Sequence, residues 1–418
     1  MTDLFRRAGC GVVAVALLTT CAPPAAEGPA PSGQAGVEPE IRVGLVTGAA
    51  RIRIRGDAPL TVIGGAGDPL EGAPGSDAWT VIPEAGSVTI VAPDGWRSAP
   101  QAEVVFAPTS PGISVAVNDR PYRGRIVIRR DRTGLTAVNR VGLESYLMGV
   151  VSAEMGRRDS TEDAALAAQA VVSRTFAIRN LGKRETEGFD LYATVTDQVY
   201  GGVLSETAQS WRAVRTTTGQ VVSYQGALID AFFFSTCGGR TAAGTEVYAN
   251  ADRPYLRSIR DEDENGEAYC RISPRYHWRE EWSGDALVAT LQRTLPVILG
   301  TPASNIREVR SVRVVTRTGS DRVSRLAIDL GSSEVTVDGP GIRQVLRPSS
   351  DQLLRSSAFV LTETRTGGRL SHLVVEGTGA GHGVGFCQWG AVGRARAGQT
   401  YDQILSAYFP GTGLDRLY

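Results

Sequence analysis

Lysine is nearly missing from this chain: Lys183 is the one lysine among 44 basic residues. Arginine carries the rest, a bias that points to a GC-rich gene rather than to a phosphate-binding surface. Net charge is missing too, since 44 acidic residues cancel the basic ones. No global field therefore draws in nucleic acid, which is not an expected partner, or steers the chain to an anionic membrane. Beyond the N-terminal segment no apolar run is long enough to cross a bilayer, and no unit of about 20 to 50 residues repeats. These absences exclude a membrane-spanning helix in the body of the chain and a repeat array. What is present, 42% hydrophobic and 21% charged residues over 418 positions, is ordinary for a soluble globular protein with a sizeable core and room for two or three domains.

Cysteine is scarce and unevenly placed. Cys10 and Cys21 lie in an N-terminal segment where Arg6 and Arg7 precede the apolar run Val12 to Leu18, followed by Thr19-Thr20-Cys21-Ala22. That layout predicts residues 1–21 to be an export signal ending at a lipidated Cys21, although Thr20 stands where such signals usually carry Gly, Ala or Ser. Residues 22–40, rich in Pro, Ala and Gly, read as a disordered tether. The body is thus expected to be exported to the cell envelope and held to a membrane by its lipid. Three cysteines remain, Cys237, Cys270 and Cys387. In an oxidising compartment two can pair, and Cys237 with Cys270, around one loop, is the expected disulfide; the alternative is three buried thiols.

Residues 41–107 alternate apolar and polar in short runs separated by Gly, Asp and Pro, which predicts a small all-β N-terminal unit without chemistry of its own. More strands, at 113–117, 125–128 and 135–138, lead into a helical pair. Leu143, Leu147, Val150 and Val151 recur near 3.6 spacing and predict a helix through Val151. The alanine-rich run that follows predicts another from about Thr161 to Leu181, capped by Ser160 or Thr161 and closed near Gly182. Glu154 falls between the two, flanked by Val150, Val151 and Met155. Desolvation raises a carboxyl pKa, as a group that holds and then donates a proton near neutral pH requires, so Glu154 is the candidate catalytic residue.

Downstream, strands at 221–224 and 228–234, a loop-rich stretch at 240–278, a meander at 312–337 and short helices at 284–295, 339–346, 390–398 and 401–409 complete an α+β reading. Its sheets are mostly antiparallel, and a small cluster of helices carries the glutamate. The acidic run Asp261-Glu262-Asp263-Glu264 lacks the spacing of a calcium loop and reads as a solvated face.

Six segments occur in the order seen in one family: LESYLMGVVSAEM, AAQAVVSRTFA, FDLYATVTDQVYGG, FFFSTCGGRT, RPYLRSI and GHGVGFCQWGAVGRARAGQTYDQILSAYFPGT. From about Asn118 to the end the chain resembles the SpoIID/LytB family, stage II sporulation protein D and its relatives. The resemblance implies a SpoIID-like catalytic domain at 108–418, acting on peptidoglycan glycan strands as a lytic transglycosylase with Glu154 as acid/base. Gln169, Arg174 and Glu246 match positions of the family, Glu246 either orienting the site or bracing its loop, while His382, set between Gly381 and Gly383, reads as lining a groove with Tyr200, Ser235, Gln388 and Trp389; these are the expected substrate-binding residues. The LytB members are described as amidase enhancers, so a cell-wall amidase is the alternative partner, and a structural envelope protein is a further alternative. Two departures matter. Ala167 stands where the family often has lysine, and Tyr192, Thr196 and Asp197 stand where some relatives have Cys and His ligands for zinc. Hard oxygen donors in those places predict no zinc there, and neither a metal nor another cofactor is expected.

Overall fold

A computed structural model of the chain describes residues 36–70, 73 and 77–418. The expected export signal, Cys21 and most of the tether lie outside these residues. The N-terminal half is built of two largely antiparallel sheets. Strands Glu40–Ala49, Leu135–Gly142, Arg125–Arg130, Glu103–Pro108 and Leu60–Gly64 lie side by side, with Leu191–Tyr192 added in parallel at the outer edge of the first. The other sheet orders Ser87–Val91, Ala78–Glu84, Ile52–Gly56, Val115–Val117 and Arg120–Tyr122. Period-two alternation does the sorting: Ile52 and Ile54 are buried while Arg53 and Arg55 face water. Strands from both sides of residue 107 share these sheets and one core, so packing does not divide at the expected boundary between 107 and 108.

The strand that ends at Gly142 runs directly into helix α1 (Leu143–Met155). Its apolar face, Leu143, Leu147, Val150 and Val151, joins the sheet core. Helix α2 (Asp163–Arg179) follows a single 3-10 turn. Asp159, rather than Ser160 or Thr161, caps that turn by accepting from the Thr161 N–H at 2.9 Å. The helix closes at Asn180, ahead of Gly182. Helix α3 (Ala208–Thr216) was not expected from periodicity; a reciprocal Thr207–Ser210 capping box starts it, and only Ser210, Ala213 and Val214 are buried.

A second core lies between Trp278 and Val375. Helix α4 (Gly284–Leu299) and the short α5 (Gly341–Val345) pack there with two three-stranded antiparallel sheets. Helix α4 runs past the expected stop at Leu295 because Pro296 is accommodated inside it, and Gly300 in the left-handed conformation ends it. The chain then returns to the first core with α6 (Gln388–Arg396) and α7 (Tyr401–Tyr408). One short parallel pairing, Phe233–Phe234 with Phe386–Cys387, fixes where α6 begins. Among the described residues no helix is long and apolar enough to cross a membrane.

Candidate functional site

Glu154 sits in the last turn of α1 rather than in the turn between the two helices, because the helix runs past Val151 to Met155. Its Oε1 accepts the backbone N–H of Val199 at 2.7 Å, and its Oε2 accepts Nε2 of Gln388 at 3.2 Å. Gln388 is the first residue of α6, and the same amide nitrogen lies 3.5 Å from Oε1 of Gln169 on α2. Gln169 is fully buried and donates through Nε2 to Ser173 Oγ at 2.9 Å. In the line Ser173–Gln169–Gln388–Glu154 the Gln388 amide is the branching donor: it gives to the carboxyl group on one side and to Gln169 on the other, and Gln169 passes its own donor on to Ser173. Glu154 remains partly accessible while most of its side chain is enclosed. Burial pushes its carboxyl above the ordinary glutamate range, against the opposing pull of the Val199 N–H and the Gln388 amide. Among the described residues no other carboxylate bonds into this line.

Val199 is a contact that no residue-type pattern announces. Its loop is anchored by Asp197, whose carboxylate accepts from the Tyr192 N–H at 2.9 Å and pairs with Lys183 at 3.0 Å and Arg184 at 3.3 Å. Gln198, also buried, takes the Tyr146 hydroxyl at 3.1 Å. At the positions where some relatives would place zinc, this chain tightens the loop with two cations on one buried carboxylate. Beside the site the Arg158 guanidinium lies over the Trp389 ring, 4.2 Å from its centroid, and the backbone N–H of Trp389 donates to Ser235 O at 3.0 Å. Ser235, partly exposed, therefore borders the start of α6.

The remaining expected groove residues lie elsewhere. Arg174 is fully buried, and its guanidinium makes a two-pronged pair with Glu144 at 2.7 and 2.6 Å and reaches Gln220 O at 3.1 Å. It clamps α1 and α2 to the strand that starts at Gln220 and has no face left for substrate. Tyr200 is buried between Tyr122 and Tyr146, with its hydroxyl donating to Asn139 Oδ1 at 3.0 Å; it is core. The Glu246 carboxylate accepts the Ser320 N–H at 3.1 Å as well as its hydroxyl, bracing the second core against the first.

His382 has both ring nitrogens engaged. Nε2–H donates to Phe233 O at 2.8 Å and Nδ1 accepts the Val384 N–H at 3.1 Å, which selects the neutral ring. Burial drives its pKa down to about 4. The flanking glycines serve close packing: a Cβ on Gly383, at φ +95°, would meet Arg322 Cζ at 2.7 Å. Two further expectations are corrected. Cys237 and Cys270 form no disulfide; their sulfurs are 3.4 Å apart, and all three body cysteines are free and buried. Asp261 does not face solvent but is completely buried between Arg394, at 2.9 Å, and the Tyr408 hydroxyl, at 2.8 Å.

Comparison with known proteins places this arrangement. The family model described as "Stage II sporulation protein" matches residues 131–224, which span α1, α2 and the Val199 loop. Residues 268–385 match a domain of unknown function and cover most of the second core. Stage II sporulation protein D of Bacillus subtilis (strain 168) is 30% identical over 298 residues, 67% of this chain and 76% of that protein. The amidase enhancer of the same organism is 30% identical over 300 residues, 64% of this chain and 40% of that protein. An uncharacterised protein of Brachyspira hyodysenteriae (strain ATCC 49526 / WA1) is 29% identical over 299 residues, 71% of this chain and 73% of its own length. The chain belongs to the SpoIID/LytB family of stage II sporulation protein D and the amidase enhancer, a family connected with the cell wall.

Proposed function

We propose that the protein is an exported peptidoglycan lytic transglycosylase that cuts the MurNAc–GlcNAc bond, with Glu154 as its single acid/base. In this reading the Glu154 carboxyl donates its proton to the departing GlcNAc oxygen as the glycosidic bond breaks. The resulting carboxylate then takes the proton of the muramic 6-hydroxyl as that oxygen closes on C1, leaving a 1,6-anhydro end and a restored acid, with no water consumed. One carboxyl suffices because the sugar carries its own nucleophile; a hydrolase of the two-carboxylate type would need a second. The observation that carries the reading is Glu154 itself: desolvated, at a helix end, with one oxygen set by the Val199 N–H and the other by Gln388. Gln169 supports Gln388 from behind, while Ser235 and Trp389 border the position where sugar rings would lie.

A non-catalytic reading has its own support. Ala167 replaces the lysine frequent in the family, and the Bacillus subtilis relative named amidase enhancer aligns over 64% of this chain. On that reading the same groove binds glycan and recruits or stimulates a separate cell-wall amidase. In both cases export and lipid anchoring through Cys21 belong to the proposal. Mass spectrometry of purified glycan strands, with and without stem peptides, separates the two. Anhydro-ended fragments from the wild type, reduced about 10²- to 10⁴-fold in Glu154→Gln, support the enzyme. Glycan binding without cleavage supports the enhancer.

A further inference from the structure

At the start of α6 three thiols and a carboxylate converge. One donor atom each from Cys237, Asp261, Cys270 and Cys387 lies within a single group in which all are within 4.8 Å of one another. Cys237 Sγ is 3.4 Å from Cys270 Sγ and 3.2 Å from Asp261 Oδ2. A tetrahedral ion with Zn–S bonds of ~2.3 Å separates its ligands by about 3.8 Å, so these spacings bracket what such an ion requires. The residues come from three separated stretches of chain: the turn after Phe234, the loop at 261–270 and the N-cap of α6.

The surroundings are those of ligands rather than of spare thiols. Cys387 Sγ receives two backbone N–H groups, from Cys237 at 3.1 Å and Gly390 at 3.2 Å. Asp261 is oriented by Arg394 and Tyr408, as carboxylate ligands are by outer hydrogen bonds. Arg322 supplies a further sign. It is 2% exposed, its Nη2 donates to Cys237 O at 3.0 Å, yet its Nε and Nη1 are buried without a partner. The acidic groups beside it are these cysteines and Glu246, whose oxygens are engaged by Ser320. With three neutral thiols, or with a disulfide and one thiol, the cysteines offer that guanidinium no negative charge. Three thiolates and a carboxylate around a divalent cation carry two net negative charges, which Arg394 and Arg322 balance.

We propose that Cys237, Asp261, Cys270 and Cys387 bind one zinc-class divalent ion in a closed, four-coordinate structural site. The donor set is soft and leaves no open position, so the ion tethers chain segments and does no chemistry. Each thiol gives its proton to solvent as the ion enters, and a groove lined by Cys237, Gly238, Arg240 and Arg322 gives a route to it. Since Cys387 immediately precedes Gln388, the ion also fixes the residue that bonds Glu154. The proposal does not depend on the reaction assigned to that glutamate.

The test is elemental analysis and native mass spectrometry of the full mature chain. Cobalt(II) replacement of the bound ion follows, with thiol titration under native and unfolding conditions. The expected result is one zinc per chain, thiolate-to-cobalt charge-transfer absorption after replacement, three thiols reactive only after chelation, and loss of the metal in Cys270→Ala. If that variant does not fold, the wild-type cobalt spectrum carries the test alone. A metal-free wild type that takes up neither Zn²⁺ nor Co²⁺ would overturn the proposal. So would a protein lighter by two hydrogens with Cys237 linked to Cys270.

Discussion

Arg174 offers a direct contest between a binding role and a structural one. Its guanidinium is wholly enclosed and meets both oxygens of Glu144, whose side chain is 11% exposed. In Arg174→Met the carboxylate stays buried with its main partner gone. Truncating one member of a buried pair costs about 3–5 kcal/mol. The low end applies here, because the Tyr418 hydroxyl and, at 3.5 Å, the Gly219 N–H still face Glu144. A loss of about 3 kcal/mol reduces the folded-to-unfolded ratio more than a hundredfold. The double variant Glu144→Leu/Arg174→Met removes both charges and should recover most of that loss, since well-packed apolar replacements of buried pairs are often close to neutral. Urea unfolding followed by circular dichroism reads both effects as midpoint shifts at unchanged slope. The reasoning fails if Arg174→Met loses less than about 1 kcal/mol while glycan binding disappears, because the arginine would then be contacting substrate.

Three other outcomes follow from the same structure. His382 titrates near 4 when folded against an ordinary 6.5, so between those values the unfolded chain holds the extra proton and stability rises with pH; His382→Gln should flatten that part of a pH–stability curve, and an unchanged slope would refute the assignment. Gln388→Ala removes a donor from Glu154, so the alkaline limb of the cleavage pH profile should move upward while turnover falls about tenfold or more; a fall in turnover with an unmoved limb would mean that Gln388 does not act on the carboxyl. Gly383→Ala places a methyl 2.7 Å from Arg322 Cζ at a positive φ, and thermal unfolding should show a loss of at least roughly 1–2 kcal/mol.

Helix α1 was legible from its apolar spacing and α2 from its alanines, and Glu154 stood out among valines, although it lies in the last turn of α1 and not between the helices, and α3 was not legible at all. Gln169 and Gln388 were named from the family segments, and the fold brings both within hydrogen-bond reach of the same line. Three features escaped for physical reasons. Val199 acts through its backbone, and an amide N–H carries no residue-type signal. Asp261 sits in an acidic run that composition marks as solvated, yet Arg394 and Tyr408, more than 130 residues later, take it inside. Arg174 and Tyr200 carry polar tips that suggest a groove. Their partners, Glu144 and Asn139, are polar and buried as well, so burial could not be read from side-chain type.

The distance along the chain between the two halves of the Glu154 contact has a temporal meaning. Gln388 follows Glu154 by 234 positions, and it takes its place only when Phe386 and Cys387 have zipped alongside Phe233 and Phe234. A polypeptide delivered amino end first, by a ribosome or through a translocation channel, presents its acid long before that partner. Closing so long a loop is slow. Until it closes, the glutamate stands without the amide that positions it. On the reading proposed here, a cell whose own wall is the substrate would thereby make a cutter that stays blunt until the segment that carries Gln388 has docked.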